Sequence, residues 1–270
     1  MNAMSNCRIL TIALACFAAM AMLSGCMSAS GRTGADAQPP INVMVIATLH
    51  SAHADNPRYS YDDLYTIVRA FAPDAVGVEI RDEDMHRDAN YLAANYPLEM
   101  RELARDYGSG ATGLDWLGHD LEGRAIPVDY WREQSEIKRL QRDLSKRPDL
   151  RSPQVEAAQR QQQQIIQSAT AASLNDGRYD KATREYYHAL SVELRDTPLA
   201  PLSAFYAERD RQIARNASRV IKSLLDRKSP ETRVVFVVGA DHRAFLIDAL
   251  VRDFGNKITL VPVVQEKTAR

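Results

Sequence analysis

Short apolar runs rich in β-branched residues alternate along the chain with stretches of helical periodicity. Residues 43–47, 75–80, 124–129, 234–238 and 258–263 are the predicted strands. The run 234–238 is apolar at every position, the pattern of a strand buried on both faces. Gly239 ends it, and Ile247, Leu250, Val251 and Phe254 then recur at helical spacing. Between the first two runs, Ser60 with Asp63 three residues on predicts a capped helix. Its apolar face is Leu64, Ile67, Val68 and Phe71, and Pro73 stops it. Strand, helix and strand joined by short links predict a right-handed βαβ unit. The expected fold class is therefore α/β, a mostly parallel sheet with helices on both faces.

The remaining segments are less regular. Arg81 and the acidic run 82–84 predict a solvated loop. Residues 85–121 read as helices and loops broken at Gly108, Gly110 and Gly113, with His86 and His119 at the surface. Pro127 places the run 124–129 at a sheet edge. From 131 to 200 the chain is polar, Gln-rich and helical with thin apolar periodicity, a helical insertion rather than a second domain. It would serve as a lid over the sheet edge or as an association hairpin, with homo-oligomer formation through it. Pro198 and Pro201 predict a loop, and Ser203 the cap of a long helix with the stripe Tyr206, Ile213, Ala217, Val220 and Leu224. Arg209 falls on that stripe, three after Tyr206 and four before Ile213. A guanidinium facing a core must meet a carboxylate, a phosphate or a substrate, unless the stripe tilts enough for it to reach water. Asn216 borders the same face, and 264–270 is a charged tail.

Composition changes the picture mainly at the N-terminus. Residues 9–23 form an apolar run of about fifteen residues after Arg8, too short for a comfortable membrane span, and end in Leu23-Ser-Gly-Cys26. The expectation is a lipoprotein signal peptide at 1–25 with Cys26 as the lipidated residue. A flexible tether over 26–40 follows, roughly 45 Å long if extended. All three cysteines, Cys7, Cys16 and Cys26, lie in this segment, so the domain expected at 41–270 contains no thiol chemistry. The formal charge of −1 argues against nucleic acid as a partner.

Polar residues at predicted strand ends are the candidate chemistry, because open α/β sheets bind ligands at that edge. His50 and His53 follow the first run, Glu79 stands near the end of the second, Asp129 ends the third, and Asp241 and His242 follow the fourth. Glu79 inside an apolar run needs a cation or donors. Asp241 reads either as a helix N-cap or as part of a site, and His53, Asp129 and Asp241 form a second rank of candidates. Tyr186, Tyr187 and His188 cluster late in the insertion, to pack or to line a pocket.

Three pieces taken together, 47–50 (Ala-Thr-Leu-His), 73–79 (Pro-Asp-Ala-Val-Gly-Val-Glu) and 208–210 (Glu-Arg-Asp) ahead of 239–242 (Gly-Ala-Asp-His), resemble the TraB/GumN/TIKI superfamily, related to ChaN-type lipoproteins and erythromycin esterases. Ala47 departs from the glycine usual in the first signature. The resemblance implies a hydrolase site, peptidase- or esterase-like, in which His50, Glu79 and His242 bind a divalent metal (Zn²⁺, Mn²⁺ or Co²⁺) or activate water directly, with Arg209 on a substrate carboxylate or oxyanion. The ChaN side of it implies haem or small-ligand binding instead, with Tyr186, Tyr187 or His188 as axial ligand. Separately, Leu23-Ser-Gly-Cys26 resembles a bacterial lipobox, and Met27 rather than Asp after it implies, by resemblance to enterobacterial lipoproteins, an envelope protein anchored in the outer membrane and facing the periplasm, acting on a peptide or small-molecule substrate.

Overall fold

A computed structural model describes residues 39–227 and 231–264; the expected signal segment, Cys26, the tether up to residue 38 and the tail from residue 265 lie outside the described residues. No described helix is long and apolar enough to cross a membrane. The chain runs β1 (Ile41–Thr48), α1 (Tyr61–Phe71), β2 (Ala75–Arg81), α2 (Ala89–Asn95), α3 (Leu98–Tyr107) and β3 (Ala111–Asp115). Then come α4 (Glu136–Ser145), α5 (Pro153–Gln167), α6 (Ala171–Leu174), α7 (Arg178–Leu194), α8 (Ala200–Arg227), β4 (Arg233–Gly239), α9 (Ala240–Phe254) and β5 (Ile258–Leu260).

The five strands form one parallel sheet in the order β3-β2-β4-β1-β5. The most uniformly apolar run, β4, takes the centre, where both faces and both edges are covered. It pairs with β1 from Asn42↔Arg233 to Thr48↔Gly239 and with β2 up to Val78↔Val237. Strands β1 and β2 are therefore separated by β4 rather than adjacent.

Strand alternation sorts the core into two layers. Met44, Ile46, Val76, Val78, Val235 and Val237 pack under α1 and α3, against Leu64, Val68, Met100 and Leu103. Val43, Val45, Val234, Phe236 and Val238 pack under α8 and α9, against Ile213, Ala217, Leu246 and Leu250. Helix α1 starts as its sequence requires, with both halves of the Ser60/Asp63 capping box formed. The helices of 131–200 share a third, smaller cluster with the start of α8, built on Leu140, Leu190, Leu194 and Leu202.

Three sequence expectations are corrected. The third strand is β3 and not 124–129. Gly113, which reads as a breaker, is where β3 passes so close to its neighbour that a Cβ would stand 2.6 Å from Asp82 N and Ile80 O. The stretch 124–129 is loop, with Val128 87% exposed and Asp129 at φ +65°. Second, Arg81 and Asp84 are not solvated: both are buried. The Arg81 guanidinium bonds Asp84 Oδ2 from Nε (2.8 Å) and Nη2 (2.6 Å), and donates to Leu121 O and Arg124 O. That pin is what holds the 121–126 loop off the sheet. Third, α8 begins at Ala200, so Pro201 lies in its first turn, where its missing N–H does no harm.

The carboxyl half of β1 extends past the three-residue β5 and would leave bare backbone. Side chains complete it. Arg243 Nε donates to Val45 O (2.9 Å), Asn175 Oδ1 accepts from Ala47 N (2.8 Å), and Tyr59 OH donates to Ala47 O (2.9 Å). Asn216 Nδ2 does the same for Leu114 O on β3 (2.8 Å).

Removing Arg81 takes its buried cation from Asp84 and leaves only Arg87 at 3.5 Å and the Tyr91 and Tyr96 hydroxyls, and breaking a buried pair costs up to about 3–5 kcal/mol. Arg81→Met is expected to lower the urea midpoint accordingly. An unfolding free energy within about 1 kcal/mol of wild type, the size of an ordinary substitution, would rule out the pin.

Candidate active site at the carboxyl edge of the sheet

Four consecutive strands each deliver one element of a single cluster. In sheet order these are Asp115 at the end of β3, Glu79 in β2, Gly239 and His242 after β4, and His50 after β1. Helix α8 adds Arg209 and Asp210 from above.

Glu79 lies on the α8 side of the sheet by the same alternation that turns Val78 and Ile80 towards α3. Its Oε1 accepts from Arg209 Nη2 (2.6 Å) and its Oε2 from Gly239 N (2.6 Å). Arg209 is clamped from the other side by Asp115, through Nε–Oδ1 (2.8 Å) and Nη2–Oδ2 (3.0 Å). The remaining guanidinium nitrogen, Nη1, makes no hydrogen bond to a described residue. Arg209 thus faces the sheet on the stripe with Ile213 and Ala217, and its partners are carboxylates.

Each histidine is held at Nδ1 by an acid. His242 Nδ1 lies 2.6 Å from Asp210 Oδ1, and its Nε2 lies 3.5 Å from Glu79 Oε1. His50 Nδ1 lies 2.8 Å from Glu99 Oε1, a fully buried carboxylate of α3 that also accepts from Thr48 Oγ1 (3.0 Å). A carboxylate at Nδ1 fixes the tautomer and leaves Nε2 for chemistry. His50 is in the left-handed region (φ +52°), strain that a non-glycine residue bears only where its surroundings hold it. Tyr61 OH, donating to His50 O (3.0 Å), is part of that hold. Gly239 is required here: a Cβ on it would lie 2.6 Å from His50 Nε2 and 3.3 Å from Glu79 Oε2. The His50 side chain is 37% exposed, against 10% for His242, so the cluster opens to solvent at His50. Beside Arg209, Trp116 stacks on Phe205 with ring centroids 5.6 Å apart.

The cluster holds four carboxylic side chains (Glu79, Glu99, Asp115, Asp210) and one guanidinium, with Glu79 and Asp115 on the guanidinium and Glu99 and Asp210 on the imidazoles. Two protonated imidazoles would reduce a formal charge of −3 to −1. Burial pushes Glu79 up, but His242, Arg209, His50 and the Gly239 N–H outweigh it and hold Glu79 down at about 2. Burial lowers both histidines, yet Glu99 and Glu79 raise His50, and Glu79 and Asp210 raise His242, so both end above 6.5. Burial pushes Asp115 and Asp210 up against the pull of Arg209 and His242.

The other candidates sit elsewhere. His53 is buried beneath the turn; its Nδ1 donates to Tyr59 O (2.7 Å) and its Nε2 accepts from Leu49 N (3.0 Å), so it is a neutral ring that shapes the 48–50 turn. Burial lowers its pKa. Asp129 is exposed and pairs with Arg132 (3.0 Å), away from the cluster. Asp241 is neither helix cap nor partner of His242. Gly239 is the N-cap, and Asp241 accepts from Tyr179 OH (2.7 Å), Tyr187 OH (3.4 Å) and Gln162 Nε2 (3.4 Å). His86 and His119 are exposed. Tyr186 packs on the third core cluster, and His188 lines surface grooves. Three side chains of the cluster are not among the sequence candidates: Glu99, Asp115, and Asp210, which enters only as the last residue of the 208–210 motif. Asp115 carries the same signal as Glu79, a carboxylate ending an apolar run, hidden by the glycines before it. Glu99 has only its place beside Met100 on a helix face.

A divalent metal is the group that the resemblance implies here. Among the described residues no group of three or more His, Cys, Asp or Glu is arranged to hold one. The Glu79 oxygen that would turn to it already carries a guanidinium at 2.6 Å.

Folding linkage follows from these shifts. The histidine contribution to stability is complete below pH 6.5 and is lost as pH rises through the raised folded values. The Glu79 contribution is present above about 4.5 and is lost only as pH falls through about 2. Unfolding free energy measured from pH 5 to 9 is therefore expected to decline more steeply in the wild type than in the His50→Gln, His242→Gln double variant. Parallel curves would exclude charged imidazoles in the folded cluster. Compared with protein-family models, curated proteins and solved structures, the chain matches none of them.

Proposed function

We propose that the protein is a hydrolase of acyl bonds, ester or amide, tethered to the bacterial envelope through Cys26 and acting on a peptide or small molecule. One observation carries the reading: two imidazoles, each backed at Nδ1 by an acid, meet at one ionised glutamate beside a guanidinium with a free edge. In this reading His50, the accessible ring, takes the proton from water through Nε2. Arg209 Nη1 binds the oxyanion formed when that water attacks the carbonyl. His242, kept protonated by Asp210 and Glu79, gives its Nε2 proton to the leaving group. Glu79 is too weak a base at about 2 to accept a proton at neutral pH. Its role is to anchor Arg209, His242 and the Gly239 N–H. The arrangement supports acid–base catalysis over the metal-dependent form, and Tyr187, bonded to Asp241, is a poor candidate for a haem ligand.

A positioned general base contributes typically about 10²–10⁴-fold, so His50→Ala is expected to reduce kcat/KM on p-nitrophenyl esters or a peptide library by that order. The pH profile should be bell-shaped with both limbs above 6.5 and no limb in the carboxylate range. Glu99→Gln should move the acid limb down, because it removes the charge that raises His50. Activity that survives His50→Ala, or that is abolished by a chelator, would overturn this mechanism. Anchoring is tested separately: Cys26→Ala should move the chain from the membrane fraction to the soluble one, and unchanged fractionation would contradict the tether.

A further inference from the structure

A second concavity lies behind the cluster, between α7, α8 and α9, with a volume of about 650 Å³. That is within the range of small-molecule sites, about 300–1,000 Å³. Its apolar lining is Ala207, Ala214 and Ala249 with Tyr187 and Phe245, whose rings meet edge to face with centroids 5.9 Å apart. The small side chains leave a slot beside the paired rings along which an aliphatic chain can lie. Its rim is cationic. Arg211 and Arg215 stand one turn apart on α8, and Arg252 faces them from α9. Arg215 has no carboxylate within ion-pair distance among the described residues. Exposed Arg211 and Arg252 pair only with the half-buried Glu208 and the exposed Asp253. Exposed pairs of this kind are weak and exchange readily for a better-placed anion. A fork of guanidiniums one turn apart matches the two oxygens of a carboxylate.

We propose that this groove binds a straight-chain acyl carboxylate, its chain along Ala207, Ala214 and Ala249 beside the Tyr187–Phe245 pair and its headgroup on Arg215 and Arg211. The groove is distinct from the opening at His50, but the two share a wall: Asp210 lines the groove and holds His242 Nδ1. An occupant would therefore lie against the back of the acid–base cluster.

The test is equilibrium dialysis and calorimetry of the full chain with dodecanoate below its micellar concentration, set beside neutral dodecanol. One saturable site per chain is expected for dodecanoate, with dodecanol at least tenfold weaker. Arg215→Glu, an exposed position, should weaken dodecanoate at least tenfold, and Ala207→Trp, which fills the slot, should abolish saturable binding. Should Ala207→Trp fail to fold, the Arg215→Glu and dodecanol arms decide alone. Absence of saturable binding, equal binding of dodecanol, or wild-type affinity in Arg215→Glu would overturn the proposal. The readout is binding, so it stands apart from whether the protein hydrolyses anything.

Discussion

The ion pair between Glu79 and Arg209 is the constraint from which the rest of the molecule follows. A carboxylate inside a parallel sheet has no solvent to ionise into, and an isolated buried charge is prohibitively costly. Its compensation has to arrive from every side. The guanidinium comes down from α8, the N–H comes across from the end of β4, and the imidazole comes from the first turn of α9. None of these can be displaced alone without leaving another group buried and unpaired. The long helix α8 is thereby fixed across the carboxyl edge of the sheet, with Asp115 closing the guanidinium from the opposite flank. Gly239 belongs to the same constraint, since its N–H serves Glu79 while its bare Cα makes room for His50.

Much of the fold is legible in the sequence, and for a reason that also marks where legibility stops. The runs at β1, β2 and β4 are long, β-branched and buried on both faces, so composition alone identifies them. The capped start of α1 is equally local. By contrast β3 is short and holds Gly113 in its middle, because its neighbour leaves no space for a side chain. The contact that demands the glycine is long-range, and a single sequence shows only the glycine. The stretch 124–129 errs the other way: its apolar residues look like a strand, but its carbonyl neighbours are captured by Arg81 from forty residues away. The position of β4 between β1 and β2 is likewise a matter of sheet order, which periodicity does not encode.

For the site, strand-end placement locates His50, Glu79 and His242, and stripe analysis locates Arg209. The same rule misplaces Asp129, since it inherits the error about its strand. Adjacency to a histidine in sequence is a poor guide to its partner. Asp241 is next to His242 yet bonds to α5 and α7, whereas Asp210, thirty-two residues earlier, holds the ring. Side chains at i and i+1 on a helix point apart, so a neighbour in sequence is rarely a neighbour in space. The acids that tune the two imidazoles had to come from other elements, and those are the residues hardest to read in advance.

The polar character of the segment 131–200 has a structural explanation in the same terms. Its helices do more than cover the sheet; they supply hydrogen bonds that a missing strand would have made. Asn175 takes the Ala47 N–H, and Asp180 pairs with the Arg243 that caps Val45 O. Tyr179, Tyr187 and Gln162 converge on Asp241 at the start of α9. A segment tied to β1 and α9 through buried polar contacts is a fixed part of the framework. A lid would have to break those contacts to open, leaving buried donors and acceptors unpaired at about 1–3 kcal/mol each. Low apolar periodicity in such a segment is therefore what edge completion demands: the residues that matter are amides, hydroxyls and charges placed opposite one strand, and their spacing follows the backbone they serve rather than the period of the helix that carries them.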